Sequence, residues 1–318
     1  MFKRLFLILL LFISGCSREN SLNIALDIRP TSLELYGKDI VSTNLYERDI
    51  AISSKGDEII YSLGNYDQTI RSLVIIEKKG KGWTNKKILD FSGKYNDIEP
   101  FFSPDGEKLY FSSNRPIYKD SLRNDYNIWV AEKINLKWGN PMPLDSIINS
   151  KTDEFYPAVS KHGNLYFTSS RENGIGREDI FISKFVKDTF EAPTVLDANI
   201  NTAMFEFNAY INPEENLLIF SSFGREDGYG GGDLYYSTKN EHGEWSKSKN
   251  MGAIVNSDKL DYCPFIDLPR KNFYFTSNKG HQLNKKITTI LEFNEMTKHV
   301  LNGMGNIYRI DVEKLNIE

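Results

Sequence analysis

Short stretches of alternating apolar and polar residues recur along the chain roughly every fifty-five residues, a spacing typical of repeat architectures. The clearest copy, residues 97–113, reads DIEPFFSPDGEKLYFSS, and the next, residues 153–169, reads DEFYPAVSKHGNLYFTS. Weaker copies span residues 47–62, 205–222 and 261–277. Alternation of this kind predicts half-buried β-strands, and its repetition predicts an array of similar units rather than a single catalytic core.

Each unit divides into four strand-like segments, and the second unit illustrates them. The turn signal Pro104-Asp105-Gly106 separates the first two strands, and prolines in the last segment favour an edge position. The four segments of this unit are residues 98–103, 108–112, 127–132 and 141–148. Four antiparallel strands per unit are typical of a β-propeller blade.

Five such blades can be aligned on one position of the innermost strand. The aligned residues are Ile50, Pro100, Pro157, Asn208 and Pro264, at intervals of 50, 57, 51 and 56 residues. The last blade begins near residue 260 and ends at a third strand near Asp311, whereas residues 30–41 resemble a fourth strand that precedes the first blade. The sequence therefore predicts an all-β, five-bladed β-propeller of four-stranded antiparallel blades, closed by an N-terminal strand that completes the last blade.

The N-terminus carries the pattern of an export signal. Lys3 and Arg4 precede an apolar run, residues 5–12, that is too short to span a bilayer. The following Ile13-Ser14-Gly15-Cys16 resembles the signal of bacterial lipoproteins, which implies cleavage before Cys16 and acylation of its thiol. We thus expect a signal peptide at 1–15, a lipid-anchored linker at 16–29 and a single propeller domain at 30–318. Ser17 is not the aspartate associated with inner-membrane retention, so a cell-envelope protein anchored in the outer membrane is favoured.

Composition narrows the range of partners. Without Lys3 and Arg4 the chain keeps 37 of its 39 basic residues against 43 acidic ones, a net charge of −6, which disfavours nucleic acid. Cys263 is the only cysteine besides Cys16, so no internal disulfide is expected, and we interpret it as a small buried hydrophobe. The four histidines show no metal-ligand spacing, and no cofactor or metal is predicted.

The repeat resembles a known family. The repeat contains three successive motifs: Pro-x-x-Ser-Pro-Asp-Gly-x-x-Leu-Tyr-Phe-Ser-Ser-Asn-Arg, then Asp/Asn-Ile-x-Val-x-Glu, then Trp-x-x-Pro-x-x-Leu. Together these motifs are similar to the WD40-like, TolB-type β-propeller repeat. The resemblance covers roughly residues 44–313 and is best in blades two to four. It implies a propeller, usually outside the cytoplasm, that serves as an interaction or recognition scaffold. It implies no single activity, because function depends on sites added to the fold.

Charged residues at fixed repeat positions form the candidate site. Acidic residues open four of the five innermost strands, with Phe205 in the fourth blade, and basic residues follow four of the five second strands. The acidic residues are Glu47, Asp97, Glu154 and Asp261, and the basic residues are Arg115, Arg171, Arg225 and Lys279. Both sets should lie on the loop-rich face, which carries the connections between second and third strands and those between blades. They are interpreted either as blade-to-blade ion pairs or loop caps, or as a charged ring for a sugar, a peptide or a cation, or for catalysis. Ion pairing would lower the pKa values of the paired carboxyl groups.

Three functions remain open, of which a purely structural scaffold is the third. The first is a non-enzymatic, membrane-anchored propeller that binds an envelope protein or a glycan through its loop-rich face. The alternative is a glycan-active enzyme, a glycosidase or lyase, that uses the carboxylates Glu47, Asp97, Glu154 and Asp261. The last blade also has an insertion at residues 278–305, which is expected on the loop-rich face and is long enough to be functional.

Overall fold

The computed structural model describes residues 22–118, 123–280 and 286–317. Five antiparallel sheets form a five-bladed β-propeller, which confirms the predicted fold class. The innermost strands of successive blades contact one another in a ring, and the fifth contacts the first. The predicted signal peptide and Cys16 lie outside the described residues.

The strands of each blade pair in sequence order, from the channel to the rim, with short additional hairpin strands on some outer strands. In chain order, β1 (Glu34–Leu35) belongs to blade 5. Blade 1 contains β2 (Tyr46–Ile52), β3 (Glu58–Gly64), β4 (Arg71–Lys79), β5 (Gly82–Trp83) and β6 (Lys87–Ile88). Blade 2 contains β7 (Asp97–Phe102), β8 (Lys108–Ser113), β9 (Asn127–Ile134), β10 (Lys137–Trp138) and β11 (Met142–Pro143).

The remaining blades repeat this plan. Blade 3 contains β12 (Glu154–Val159), β13 (Leu165–Ser169), β14 (Asp179–Ser183), β15 (Phe185–Val186), β16 (Thr189–Phe190) and β17 (Thr194–Val195). Blade 4 contains β18 (Phe205–Ile211), β19 (Leu217–Phe223), β20 (Asp233–Thr238) and β21 (Lys249–Asn250). Blade 5 contains β22 (Asp261–Asp267), β23 (Asn272–Ser277) and β24 (Asn306–Asp311), and β1 is its outermost strand.

The hydrophobic core lies between neighbouring blades. Ala158, Tyr166 and Ile180 of blade 3, for example, pack in one cluster with Leu218 and Phe220 of blade 4, and all five are fully buried. The alternation of each strand places one set of side chains against the preceding blade and the other against the next. Both faces of a blade are therefore apolar, which explains the aromatic second strands in the repeat.

The N-terminal strand closes the ring as predicted. Strand β1 pairs antiparallel with β24, with Glu34 opposite Arg309 and Leu35 opposite Tyr308. Tyr36 then donates its backbone N–H to the carbonyl oxygen of Ile307 at 2.8 Å and packs edge-on against Tyr274, with ring centroids 5.0 Å apart.

Residues 22–29, expected as part of a linker, are also packed on the propeller. Leu22 forms a β-bridge with Trp83, and the indole of Trp83 donates a hydrogen bond to the carbonyl oxygen of Ile24 at 3.2 Å. Ile24 and Leu26 are buried, and Arg29 forms salt bridges to Asp311 and Glu313. The segment differs from a free linker because its apolar side chains at alternate positions fill the surface between blades 1 and 5.

The innermost strands share one irregularity. Each contains a bulge, and the residue two positions after the strand-opening acid has a positive φ. These residues are Asp49, Glu99, Tyr156, Asn208 and Cys263, with φ of 59°, 61°, 51°, 51° and 55°. None is glycine, and left-handed backbone is unfavourable for such residues unless the surrounding structure holds it in place.

The insertion in blade 5 contains the helix α1 (Ile290–Thr297). Thr289 and Glu292 form a reciprocal capping box at its start, which stabilises so short a helix. The helix buries none of its residues, and Ile290, Leu291 and Phe293 are 77%, 70% and 54% exposed. Nowhere in the described ranges is there a helix long and apolar enough to cross a membrane.

Candidate functional site

The predicted acidic and basic residues lie together at the loop-rich ends of their own blades. Four blades contain an acid–base salt bridge between the start of the first strand and the loop after the second. The pairs are Asp97–Arg115 at 2.5 Å, Glu154–Arg171 at 3.0 Å, Glu206–Arg225 at 3.0 Å and Asp261–Lys279 at 3.7 Å. The carboxylates of all four pairs are fully buried. These contacts agree with the ion-pair interpretation, although the pairs form within blades.

The strand-opening acid of blade 4 is Glu206, so its assignment to Phe205 was wrong by one residue. Glu206 lies opposite Ser222, as Asp97 lies opposite Ser113 in blade 2. The position equivalent to Pro100 is therefore Ala209 rather than Asn208. An acidic residue thus occupies the first or second position of all five innermost strands.

These acids cap the connections that lead into their strands. In four blades the carboxylate accepts the backbone N–H of the residue four positions earlier: Thr43 to Glu47, Ser150 to Glu154, Thr202 to Glu206 and Ser257 to Asp261. The basic partner also donates to a carbonyl oxygen of the same connection, as Arg225 does to Ile200 at 2.6 Å. Each pair therefore fixes a blade-to-blade connection.

Blade 1 departs from the pattern. Its second strand ends in Gly64, and Glu47 forms its hydrogen bonds with the backbone and hydroxyl of Thr43 instead of with an arginine. Glu47 is fully buried, and burial raises its pKa. Among the residues that the structure describes it has no guanidinium partner, and it acts as a loop cap.

The expectation of lowered carboxyl pKa values was wrong for two of these acids. Burial raises the pKa of Glu154 and of Asp261, and the neighbouring Arg171 and Lys279 only partly oppose this effect. At these two positions the desolvation of the carboxylate outweighs its cationic partner.

A second cluster, which the sequence analysis missed, fills the channel at the level of the five bulges. This axial cluster consists of Arg48, Tyr262 and the five positive-φ residues Asp49, Glu99, Tyr156, Asn208 and Cys263. Six of the seven residues are at most 6% exposed, and the side chain of Arg48 is 13% exposed. One feature of the sequence could have indicated this cluster. The third residue of Asp97-Ile98-Glu99-Pro100 is acidic, and the other repeats also carry a polar or sulfur-containing side chain at this position.

Arg48 is the centre of the axial cluster. Its Nε donates to both carboxylate oxygens of Asp49 at 2.8 Å, and its terminal nitrogen donates to Glu99 Oε1 at 2.9 Å. The guanidinium also lies 5.0 Å from the ring centroid of Tyr262 and 3.7 Å from Cys263 Sγ. One buried cation thus compensates two buried carboxylates.

Glu99 connects three further blades to this cation. Its Oε2 accepts the backbone N–H of Tyr156 at 2.7 Å, and its Oε1 accepts the side-chain amide of Asn208 at 3.2 Å. Asn208 in turn accepts a hydrogen bond from Cys263 Sγ at 3.6 Å. Burial raises the pKa of Glu99 to about 7, with Asp49 contributing and Arg48 opposing.

Cys263 is buried as expected, but its surroundings are polar rather than purely apolar. Burial and the nearby carboxylate of Asp49 raise the pKa of its thiol well above its usual range. The thiol therefore stays protonated and acts as a hydrogen-bond donor, not as a nucleophile.

The acids proposed for glycan hydrolysis are not exposed at the channel mouth. Glu47, Asp97, Glu154 and Asp261 are all fully buried and hydrogen-bonded within their blades, and Asp49 and Glu99 share the guanidinium of Arg48. A glycosidase needs two carboxyl groups that a sugar can reach from opposite sides. None of these six side chains offers such access. Within the described ranges, no group of acidic, histidine and cysteine side chains could hold a metal ion.

The loop-rich face also exposes apolar side chains in every blade. Tyr66 and Ile70 lie in the second-to-third connection of blade 1, and the corresponding connections of the other blades expose Tyr118, Ile175, Tyr229 and the three apolar residues of α1. Tyr66, Ile70 and Tyr118 are 78%, 65% and 73% exposed. Apolar groups that recur around one mouth, rather than scattered singly, indicate an interaction surface.

The opposite face carries the first-to-second turns and the hairpins after the third strands, and we call it the hairpin face. On this face the channel ends in a cavity of about 230 Å³ whose walls come from all five blades, including Ile52, Phe102, Val159, Tyr210 and Phe265. Trp83, Trp138, Phe190 and Trp245 lie in its hairpins. The two ends of the channel therefore differ in chemistry.

Comparisons with known proteins establish no family. No protein-family model matches the chain. No curated protein matches it either. Similar solved structures include putative TolB from Agrobacterium tumefaciens, with 14% identity, a TM-score of 0.48, and coverage of 73% of this chain and 70% of that one. TolB from Acinetobacter baumannii has 12% identity and a TM-score of 0.47, covering 72% of this chain, which spans only 48% of that protein.

An enzyme is also among the similar structures. An α-L-arabinofuranosidase from Podospora anserina, solved in complex with cellotriose, has 14% identity and a TM-score of 0.48, with coverage of 90% of this chain and 98% of the other. Likenesses this distant assign neither a function nor a partner to the chain.

Proposed function

We propose that this protein is a lipid-anchored envelope propeller, at the outer membrane, that binds a partner protein through its loop-rich face. The observation that carries the proposal is the set of exposed apolar side chains in the second-to-third connection of every blade. The buried salt bridges beneath them hold those connections in place, so that the surface is preorganised for binding. The motif Ile13-Ser14-Gly15-Cys16, which resembles the signal of bacterial lipoproteins, supports the anchor.

The charged residues of the sequence prediction take a supporting role in this proposal. Glu47, Asp97, Glu154 and Asp261, with Arg115, Arg171, Arg225 and Lys279, lie beneath the loop-rich face and shape it. Partner contact comes from the side chains above them. A protein partner fits this surface better than a glycan does, because every blade exposes aliphatic or tyrosine side chains there.

Replacing exposed apolar residues of the loop-rich face should abolish partner capture. In the variant Tyr66→Ser/Leu291→Ser/Phe293→Ser, we expect capture of the specific partner from solubilised envelopes to fall at least about tenfold, as for interface hot spots. A tagged lipoprotein, cross-linked in cells and identified by mass spectrometry, provides the measurement.

The matched control for this experiment lies on the other side of the molecule. Ile134→Ser/Leu136→Ser/Met142→Ser removes three residues that are 61%, 86% and 65% exposed, away from the loop-rich face. It should leave capture within about twofold, and both variants should keep the wild-type melting temperature, since exposed substitutions cost little. Equal losses in the two variants would contradict the proposed face.

The anchor is tested separately. Cys16→Ser should remove acylation, so that the protein moves from the membrane to the soluble fraction of lysed cells. Mass spectrometry of the intact protein checks the modification directly. Unchanged membrane fractionation of Cys16→Ser would exclude a lipid anchor at this residue.

A further inference from the structure

The N-terminal segment joins the propeller on the hairpin face. Leu22 donates its N–H to the carbonyl oxygen of Trp83 at 3.0 Å and accepts the N–H of Trp83 at 3.3 Å. Trp83 lies in β5, in the hairpin that follows the third strand of blade 1. A chain that comes from an anchor at Cys16 therefore reaches the propeller at this hairpin.

The same hairpin is strongly basic. Residues 77–87 contain five lysines and one glutamate, a formal charge of +4 in a chain whose net charge is −4, so the rest of the chain carries −8. The five lysines, Lys78, Lys79, Lys81, Lys86 and Lys87, are all exposed. Lys87 forms a salt bridge with Glu77 at 2.8 Å, and Lys86 donates a hydrogen bond to the carbonyl oxygen of Ile40 at 3.2 Å. A lysine cluster beside a lipid anchor matches the pattern of proteins that bind anionic lipid surfaces.

The segment between Cys16 and Leu22, which we call the tether, restricts the orientation of the propeller on the membrane by its length. Only five residues separate Cys16 from Leu22 in the sequence, and even a fully extended chain of this length spans about 20 Å. The innermost strands contain six or seven residues and thus rise roughly 20–23 Å from one face to the other. Even fully extended, the tether is no longer than the strands alone, and the connections beyond the strands add further height. The tether therefore favours the blade 1 hairpin, rather than the loop-rich face, as the side held at the membrane.

We infer that the lysine-rich hairpin of blade 1, residues 77–87, docks on anionic lipid headgroups, and that the loop-rich face points away from the membrane. This inference rests on the proposed acylation of Cys16. The neighbouring hairpin of blade 2 fits the same contact, since Ile134 and Leu136 are exposed there beside Lys137. Apolar tips flanked by lysines suit the boundary between headgroups and acyl chains. The orientation leaves the apolar loops of all five blades free to meet a partner.

The orientation can be measured with the acylated full-length protein in vesicles. A fluorophore is attached at Leu136→Cys on the hairpin face or at Tyr66→Cys on the loop-rich face, positions that are 86% and 78% exposed. Cys263 is buried and does not compete for the label. Lipids with a nitroxide headgroup should quench the Leu136→Cys probe several times more strongly than the Tyr66→Cys probe. Equal quenching, or stronger quenching at Tyr66→Cys, would overturn the inference.

The role of the lysines is tested without the acyl chains. In the Cys16→Ser background, Lys78→Gln/Lys79→Gln/Lys81→Gln should weaken binding to vesicles of phosphatidylcholine and phosphatidylglycerol about tenfold at low salt. The control Lys38→Gln/Lys94→Gln/Lys151→Gln removes the same charge from connections on the loop-rich face and should change binding less than about twofold. Equal effects of the two triple variants would show that net charge, rather than this hairpin, drives binding.

The experiments distinguish an error in the proposed anchor from an error in the proposed orientation. If the wild-type protein carries no acyl chains, both the anchor and the orientation fall. If it is acylated and membrane-bound but the two probes are quenched equally, the proposed orientation is wrong and the proposed anchor is supported.

Discussion

Deleting residues 30–41 is expected to unfold the whole propeller. The deletion removes β1 and leaves the edge of β24 unpaired, at about 1 kcal/mol for each lost backbone hydrogen bond. It also removes Tyr36 and Val41, which are 2% and 0% exposed, and large-to-small changes at such positions cost about 2–5 kcal/mol each. Arg309, which is 4% exposed, would lose its partner Glu34 at 2.7 Å. Together these losses are comparable to the roughly 5–15 kcal/mol stability of a typical domain.

Circular dichroism and thermal melting of the purified domain would measure this effect. A deletion of the same length, residues 286–297, removes α1, which has no buried residue, and should lower the melting temperature only slightly. A cooperative transition at the wild-type temperature in the first deletion would mean that β1 does not hold the ring closed.

Replacing Arg48 with methionine is expected to destabilise the protein by about 3–5 kcal/mol, because removal of one partner leaves buried charges uncompensated. Asp49 and Glu99, which are 1% and 3% exposed, both depend on this guanidinium. Urea unfolding gives the free-energy difference. As a control, Arg29→Met removes a salt-bridged arginine whose side chain is 37% exposed and should cost less than about 1 kcal/mol.

The cost of Arg48→Met should also depend on pH. The folded-state pKa of Glu99, about 7, lies above that of an unfolded glutamate, so its contribution to stability is fully present at acid pH and lost as the pH rises through 7. Without Arg48 the charged form is still less favourable in the folded state. The destabilisation should therefore be largest above pH 7 and smaller near pH 5, where a proton neutralises Glu99. A cost independent of pH would indicate lost packing rather than an uncompensated charge.

The architecture could be predicted because it depends on patterns that are local in sequence. Alternating strands, turn signals such as Pro104-Asp105-Gly106 and the incomplete last blade together specified five blades and their closure through residues 30–41. The error at Phe205 arose where the local pattern is weak. Blade 4 has Ala209 instead of the proline that marks this position in blades 2, 3 and 5, so spacing alone could not fix the register.

The axial cluster could not be predicted for a different reason. In a regular strand, Glu99 would project to the same side as Asp97, as another loop-capping acid at the end of the blade. The positive φ at Glu99 and the bulge around it turn the side chain into the channel, where it meets Arg48 of one neighbouring blade and the backbone of Tyr156 of the other. Bulges leave no reliable trace in composition or spacing. The raised pKa values of the buried acids likewise depend on burial. The spacing of acidic and basic residues in the sequence does not show how deeply their side chains are buried.

The bulges also give the propeller a means of specifying its blade number. The blades are alike in outline, so a smaller ring that left one blade out could also bring similar surfaces together. The side chains at the bulges are all different. Arg48 donates hydrogen bonds to Glu99 and to Cys263, Asn208 donates to Glu99, and Cys263 donates to Asn208, so that the four side chains form a closed circuit. Tyr156 joins through its backbone, so every blade takes part once. A ring that left one blade out would break this circuit and leave a buried charge without its partner, so the polar interior favours closure of all five blades.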